Sequence, residues 1–182
     1  MKTKTISLEV PAGKKAEWKN GVLTLVDEKP RDVTERIKTF ADACQELGEN
    51  HPLVKELQMC EQMLSPDLEA YLRLRIITAA LNEGWKPQFT KDEYRWFPWY
   101  YLITKEDYDK LSEEEKKYAV ARAGYSSSAY GGVAYAGASY GSSYANATLG
   151  SRLAFKSEEL AVYAGKQFIE TYADFCFLTE TK

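Results

Sequence analysis

Between Gly124 and Ser151 the chain carries no charged side chain, and no other feature limits its fold so strongly. The segment is built from Gly, Ser, Ala and Tyr, with Tyr125, Tyr130, Tyr135 and Tyr140 recurring every five residues and Tyr144 following four later. Tyrosine and alternation favour strands, so two or three short strands with Gly-rich turns are expected, with a flexible low-complexity loop as the alternative. An odd spacing places successive tyrosines of a regular strand on opposite faces. The composition also matches that of antibody binding loops, where tyrosine supplies rigid contact area and small residues allow close approach. Tyr130, Tyr135 and Tyr140 are therefore candidate partner contacts.

The flanking sequence reads as α+β. Ile6, Leu8 and Val10 alternate with polar residues, Pro11-Ala12-Gly13 interrupts them, and Asn20-Gly21 is a turn signal ahead of Val22, Leu23, Leu25 and Val26. This predicts a small antiparallel unit over 3–27 packed on the rest, with Trp18 pairing across the turn. A helical segment follows over 32–84. Asp32 with Glu35 starts one helix over 33–47, with Val33, Ile37, Phe40, Ala41, Cys44 and Leu47 at helical spacing. His51-Pro52 starts a second, with Leu53, Leu57, Cys60 and Leu64 inward and Met63 beside them. Ser65-Pro66-Asp67 starts a third through Leu68, Tyr71, Leu72, Ile76 and Ala79 to about Asn82.

Residues 85–182 read as a mainly antiparallel sheet with a C-terminal helix packed on it. Pro98 sets the start of a strand within the aromatic run Trp96–Tyr101. Thr104 with Asp107 and Ser112 with Glu115 predict two helical turns in a charged excursion over 104–120. Leu149, Ser151, Leu153 and Phe155 alternate as a strand whose other face carries Arg152 and Lys156. Ser157 caps a final helix with Leu160, Ala161, Ala164, Phe168, Tyr172 and Phe175 inward. Gly165 in its middle costs roughly 1 kcal/mol against alanine, which close packing on the sheet explains.

The 182 residues, 45% hydrophobic and 28% charged, fit a single domain, or one domain with a small appended hairpin. A net charge of −3 argues against non-specific nucleic-acid binding or attachment to a membrane surface. The longest apolar stretch, Ile76 to Leu81, is far too short to span a bilayer, and no signal-peptide pattern opens the chain. Cys44, Cys60 and Cys176 form no CxxC pair and read as reduced, buried thiols of a cytoplasmic protein.

No catalytic or metal-binding constellation and no cofactor motif stands out. The single histidine, His51, lies at a helix start, and there is no HExxH, no Walker A lysine loop, no GxGxxG and no GxSxG. Glu113-Glu114-Glu115 and Glu158-Glu159 suit helix N-termini. The more suggestive constellation is aromatic and basic: Trp85, Trp96, Trp99, Tyr100 and Tyr101 with Arg152 and Lys156, and Arg73 and Arg75 on the third helix. Such a set can stack on and neutralise a nucleotide-type ligand, or it can bridge sheet and helices as core.

Three stretches, Ile77 to Pro87, Tyr94 to Leu102 and Leu149 to Phe168, resemble a family of small uncharacterised proteins from Bacteroides-type gut bacteria, their prophages and phages. The resemblance implies a bacterial host cell or virion setting and carries no activity. Two readings follow, with an enzyme using carboxylates or a tyrosine as a third that no motif supports. One is a non-enzymatic binding or assembly protein using the uncharged Tyr/Ser/Gly surface, with a protein partner or a second copy of itself. The other is a small-ligand binder using an aromatic and basic pocket.

Overall fold

The computed structural model describes residues 7–28, 30, 32–88, 90–121, 132–142 and 151–176. The chain divides into two compact units, Met1–Arg36 and Ile37–Lys182. The class is α+β, as expected.

In the first unit, β1 (Lys14–Lys19) pairs antiparallel with β2 (Val22–Asp27), and Trp18 faces Leu23. Asn20 and Gly21 turn the chain with φ of 50° and 78°, the two positive values that a type I′ turn requires. A two-residue turn forces the residues directly before it to be the partner strand. The first strand is therefore 14–19, and Leu8 and Val10 lie outside any strand; Ile6 is not among the described residues. Asp32 accepts from the Thr34 N–H at 2.8 Å and caps the short helix α1 (Val33–Arg36).

The helix expected over 33–47 is in fact two. The chain breaks at Thr39, and α2 (Phe40–Leu47) begins there with a complete capping box. The Asp42 N–H donates to Thr39 Oγ1 at 3.2 Å, while the Asp42 carboxylate accepts from the Thr39 and Lys38 N–H groups at 2.8 and 3.0 Å. The Thr39 side chain, and after it the Lys38 and Thr39 N–H groups, hold the Asp42 carboxyl below its ordinary range. Two carbonyls freed by the break find partners far along the chain: Tyr163 Oη donates to the Ile37 oxygen at 2.6 Å, and Gln167 to the Lys38 oxygen at 2.7 Å.

His51 caps α3 (Pro52–Cys60), accepting from the Leu53 N–H at 3.3 Å, and Pro52 occupies the first turn. The inward residues are Val54 and Leu57 rather than Leu53. Leu64 lies beyond the helix, and Met63, in the 3₁₀ turn Glu61–Met63, is exposed. The helix α4 (Pro66–Leu81) is central. Leu74, Ile76, Ile77 and Leu81 are fully buried, and burial continues around most of its circumference, although Leu68 near its start is exposed.

The second sheet has the order β3-β5-β4, all antiparallel, from β3 (Tyr94–Ile103), β4 (Ala119–Ala121) and β5 (Gly132–Ser142). Contrary to expectation, β3 runs through Pro98. The Trp96 N–H points away from β5, bonding the Phe155 oxygen at 3.1 Å, and alternate residues of a strand direct their N–H groups to the same side. Pro98, two residues on, therefore faces the outer edge of an edge strand, where no ladder donor is required.

Between β3 and β4 lie α5 (Lys105–Lys110) and α6 (Glu113–Lys116), each with the expected capping box on Thr104 and Ser112. Residues 132–142 of the uncharged segment form one long strand, β5; the rest of the two or three strands expected there, with Tyr125, Tyr130 and Tyr144, lies outside the described residues. Trp99 faces Gly137 while Tyr100 faces Tyr135, so Ala136 is an extra, bulged residue. This bulge turns the five-residue spacing into a same-face relation. Tyr135 packs on Tyr100 and Tyr140 on Trp96, four residues apart on one face of β3.

Where a strand is expected over 149–155, the described residues form a 3₁₀ turn, Ser151–Leu153, followed by a single-residue bridge in which Phe155 and Trp96 exchange both backbone bonds. The flanking backbone groups are taken by the buried Asn82. Its Nδ2 donates to the Ala154 oxygen at 2.8 Å, and its Oδ1 accepts from the Lys156 N–H at 3.1 Å, leaving no ladder to extend. The final helix is likewise two, α7 (Glu158–Gln167), capped by Ser157, and α8 (Ile169–Cys176), bent at Phe168. Phe175 is half-buried and stacks on Tyr71 at 5.9 Å. The cysteines are free, but Cys44 and Cys60 are only half-buried and Cys176 is exposed, because helix faces that periodicity marks as inward lie at the rim of the core.

Candidate functional site

The aromatic and basic residues singled out in the sequence separate into three places. The first is beneath α7. A Cβ on Gly165 would lie 2.7 Å from the Tyr135 ring and 2.8 Å from Pro98, so the helix rests directly on the sheet, and Tyr100 Oη donates to the Gly165 oxygen at 2.9 Å. Tyr100 also packs on Tyr172 at 5.2 Å, and both Tyr100 and Tyr135 pack against Val120, Val133, Ile169 and Ala173. Burial holds the hydroxyls of Tyr100, Tyr135 and Tyr172 above the ordinary tyrosine range, so none supplies a phenolate at neutral pH. Tyr135 is thus a packing residue.

The second place is the exposed part of the β3–β5 pair. Tyr140 lies across Trp96 at 4.8 Å and meets Tyr94 edge-on at 5.1 Å. Further along β3, Trp99 and Tyr101 are two residues apart, 54% and 63% exposed, and Leu102 is 48% exposed. No charged residue occurs from Trp96 to Ile103.

The third place is a cavity of about 200 Å³ between α3, α4 and the 3₁₀ turn, where Trp85 and Arg152 come together. Leu53, Ala79 and Pro87 give it apolar walls, and Arg75, Thr78 and Asn82 its polar ones. Arg75 lies 3.4 Å from Glu56 and over the Tyr71 ring. Arg73 is engaged elsewhere, with Glu69 at 2.6 Å and over the Phe40 ring. Lys156 does not share a face with Arg152; its ammonium pairs with Glu83 at 3.2 Å. Thr78 and Asn82 escaped the sequence reading because a polar residue near the end of an apolar helix has no local mark of a partner in another element.

A wider groove of about 560 Å³ runs along α7 past Tyr118, Glu158 and Glu159. Lys166 already lies over the Tyr118 and Tyr135 rings there, at 4.7 and 5.4 Å, so an internal cation covers its aromatic surface. Among the described residues no three His, Cys, Asp or Glu side chains gather into a metal-binding group, and no helix is long and apolar enough to cross a membrane. No family model, curated protein or solved structure matches the chain.

Proposed function

We propose that this chain is a non-enzymatic assembly protein whose copies associate through the edge of β3. The observation that carries this reading is the outer edge of that strand after Pro98. Trp96 is closed by Phe155 and Pro98 has no donor, but Tyr100 and Leu102 turn their backbone groups to the same side, where no described strand pairs with them. Soluble proteins blunt such edges with charge, a bulge or a covering element. Pro98 and the bulge opposite Trp99 and Tyr100 lie at the start of this stretch, and beyond them the exposed Tyr101 and Leu102 carry no charge.

A second copy satisfies this edge by symmetry. About a two-fold axis at Tyr101, Tyr100 pairs with the partner's Leu102 and Leu102 with the partner's Tyr100, exchanging four backbone bonds. Tyr101 then stands opposite its own copy, and the interface is isologous and closed. The small net charge of −3 opposes such pairing weakly. The uncharged composition of 124–151 contributes indirectly, because its described part, β5, is the central strand that positions β3. The resemblance to small bacteroidal and phage proteins gives such an assembly a setting in an infected cell or a virion.

Sedimentation velocity tests this reading. The wild type is expected as a dimer in fast or slow exchange with monomer. Tyr101→Asp sets two carboxylates against each other across the axis and is expected to sediment as a monomer with an unchanged circular dichroism spectrum. A wild type that stays monomeric at every concentration, or a Tyr101→Asp variant that dimerises equally well, refutes it.

A further inference from the structure

We propose that the cavity behind Trp85 binds a small organic anion, a carboxylate carried on a planar apolar body. The site is separate from the β3 edge and does not depend on association through it.

Three features of the cavity point to this class of ligand. The first is an available cation: Arg152 is exposed, lines the cavity, and makes no hydrogen bond or ion pair among the described residues. A guanidinium in that state takes a carboxylate in a two-point hydrogen-bonded fork. Arg75 also lines the cavity and adds positive charge, tempered by Glu56 at 3.4 Å, and no carboxylate side chain lines the space. The lining therefore favours an anion of low charge.

The second feature is Thr78. It is 2% exposed, it lines the cavity, and its hydroxyl has no hydrogen-bond partner. A buried hydroxyl without a partner is costly, and such groups are uncommon in folded proteins. The hydroxyl oxygen itself is shut off from solvent, so a carboxylate entering the cavity would become its acceptor by a turn of the Thr78 side chain toward the space. The neighbouring Asn82 is not available for this role, since both ends of its amide are bound to the 154–156 segment.

The third feature is size and wall chemistry. The cavity, at about 200 Å³, is smaller than the roughly 300–1,000 Å³ of sites for drug-sized ligands. Trp85 and Pro87 line it with apolar rings. The space thus suits one ring with its carboxylate and is small for a whole nucleotide, which narrows the nucleotide-type expectation to a more compact anion. A bare inorganic anion would leave the apolar wall unused.

Isothermal titration with sodium benzoate, sodium acetate and inorganic phosphate separates these cases in the full chain. Benzoate is expected to bind saturably and about tenfold or more tighter than acetate or phosphate. Arg152→Ala is expected to weaken benzoate about tenfold while leaving the melting temperature unchanged, because the side chain is exposed and supports nothing else. Thr78→Val keeps the shape and removes the hydroxyl. It is expected to weaken benzoate binding and, with an unpartnered buried group gone, to raise the melting temperature of the ligand-free protein. Absence of saturable benzoate heat overturns the proposal, as does phosphate binding as tightly as benzoate. A fall in melting temperature for Thr78→Val overturns it too, since the hydroxyl would then have an internal role.

Discussion

Asn82→Ala is expected to lower the free energy of unfolding by about 3 kcal/mol, through loss of one buried and one part-buried hydrogen bond and the stranding of their partners. The amide joins the end of α4 to a segment more than seventy residues later, donating to the Ala154 oxygen at 2.8 Å and accepting from the Lys156 N–H at 3.1 Å. Alanine leaves a buried carbonyl and a backbone N–H without partners, and no water reaches Ala154, which is fully buried. For a chain of this length the change corresponds to a fall in melting temperature of about 6–12 °C. Asn82→Asp recovers little, because it keeps the acceptor for Lys156 but turns a second oxygen toward the Ala154 carbonyl. Thermal and urea unfolding of both variants measures this. A loss below about 1 kcal/mol, the usual value of one net hydrogen bond, would show that the Trp96–Phe155 bridge alone holds the segment.

Gly165→Ala tests the seating of α7, and its sign is the informative quantity. In an open helix the change stabilises by about 1 kcal/mol, since alanine is the better helix former. Here the new methyl lies 2.7 Å from the Tyr135 ring and 2.8 Å from Pro98. Neither neighbour yields easily, because Pro98 is fixed in β3 and Tyr135 is packed against the Val120–Val133 cluster. Overpacking of this kind costs about 1–3 kcal/mol, so the net expectation is a destabilisation of about 1 kcal/mol. Gly165→Val, with more bulk and a poorer helix propensity, is expected to lose about 3 kcal/mol or more. Stabilisation by alanine in urea unfolding would mean that α7 stands off the sheet.

Local rules carried much of this fold. The Asn20–Gly21 hairpin, the caps at His51, Thr104, Ser112 and Ser157, and the packing reason for Gly165 all depend on residues within a few positions, or on steric facts that sequence exposes directly. The errors have a common physical origin in long-range partners. One periodic helix became two at Thr39 because Tyr163 and Gln167 satisfy the carbonyls freed there. The described part of the alternating stretch, residues 151–155, did not become a strand because Asn82 takes its backbone groups. Tyr135 and Tyr140 share a face because a bulge opposite Trp99 and Tyr100 absorbs the odd residue.

The candidate site was legible only in its residue types. Trp85 and Arg152 do meet in one cavity, and Trp99, Tyr101 and Tyr140 are displayed on the sheet. Lys156 and Tyr135 are engaged within the fold, and Tyr130 lies outside the described residues. Thr78, which lines the cavity with Arg75 and Arg152, carries no sequence mark, since a threonine inside an apolar helix usually returns its hydroxyl to its own backbone.

The most direct test of association through β3 is hydrogen exchange at the Tyr100 and Leu102 amides, followed by NMR over a range of protein concentrations. Pairing with a second copy predicts that both amides become protected as concentration rises, while the Trp96 amide, already bound to the Phe155 oxygen at 3.1 Å, stays protected throughout. Exchange at Tyr100 and Leu102 that is rapid and independent of concentration would contradict it, because the edge would then face water in every state of the protein.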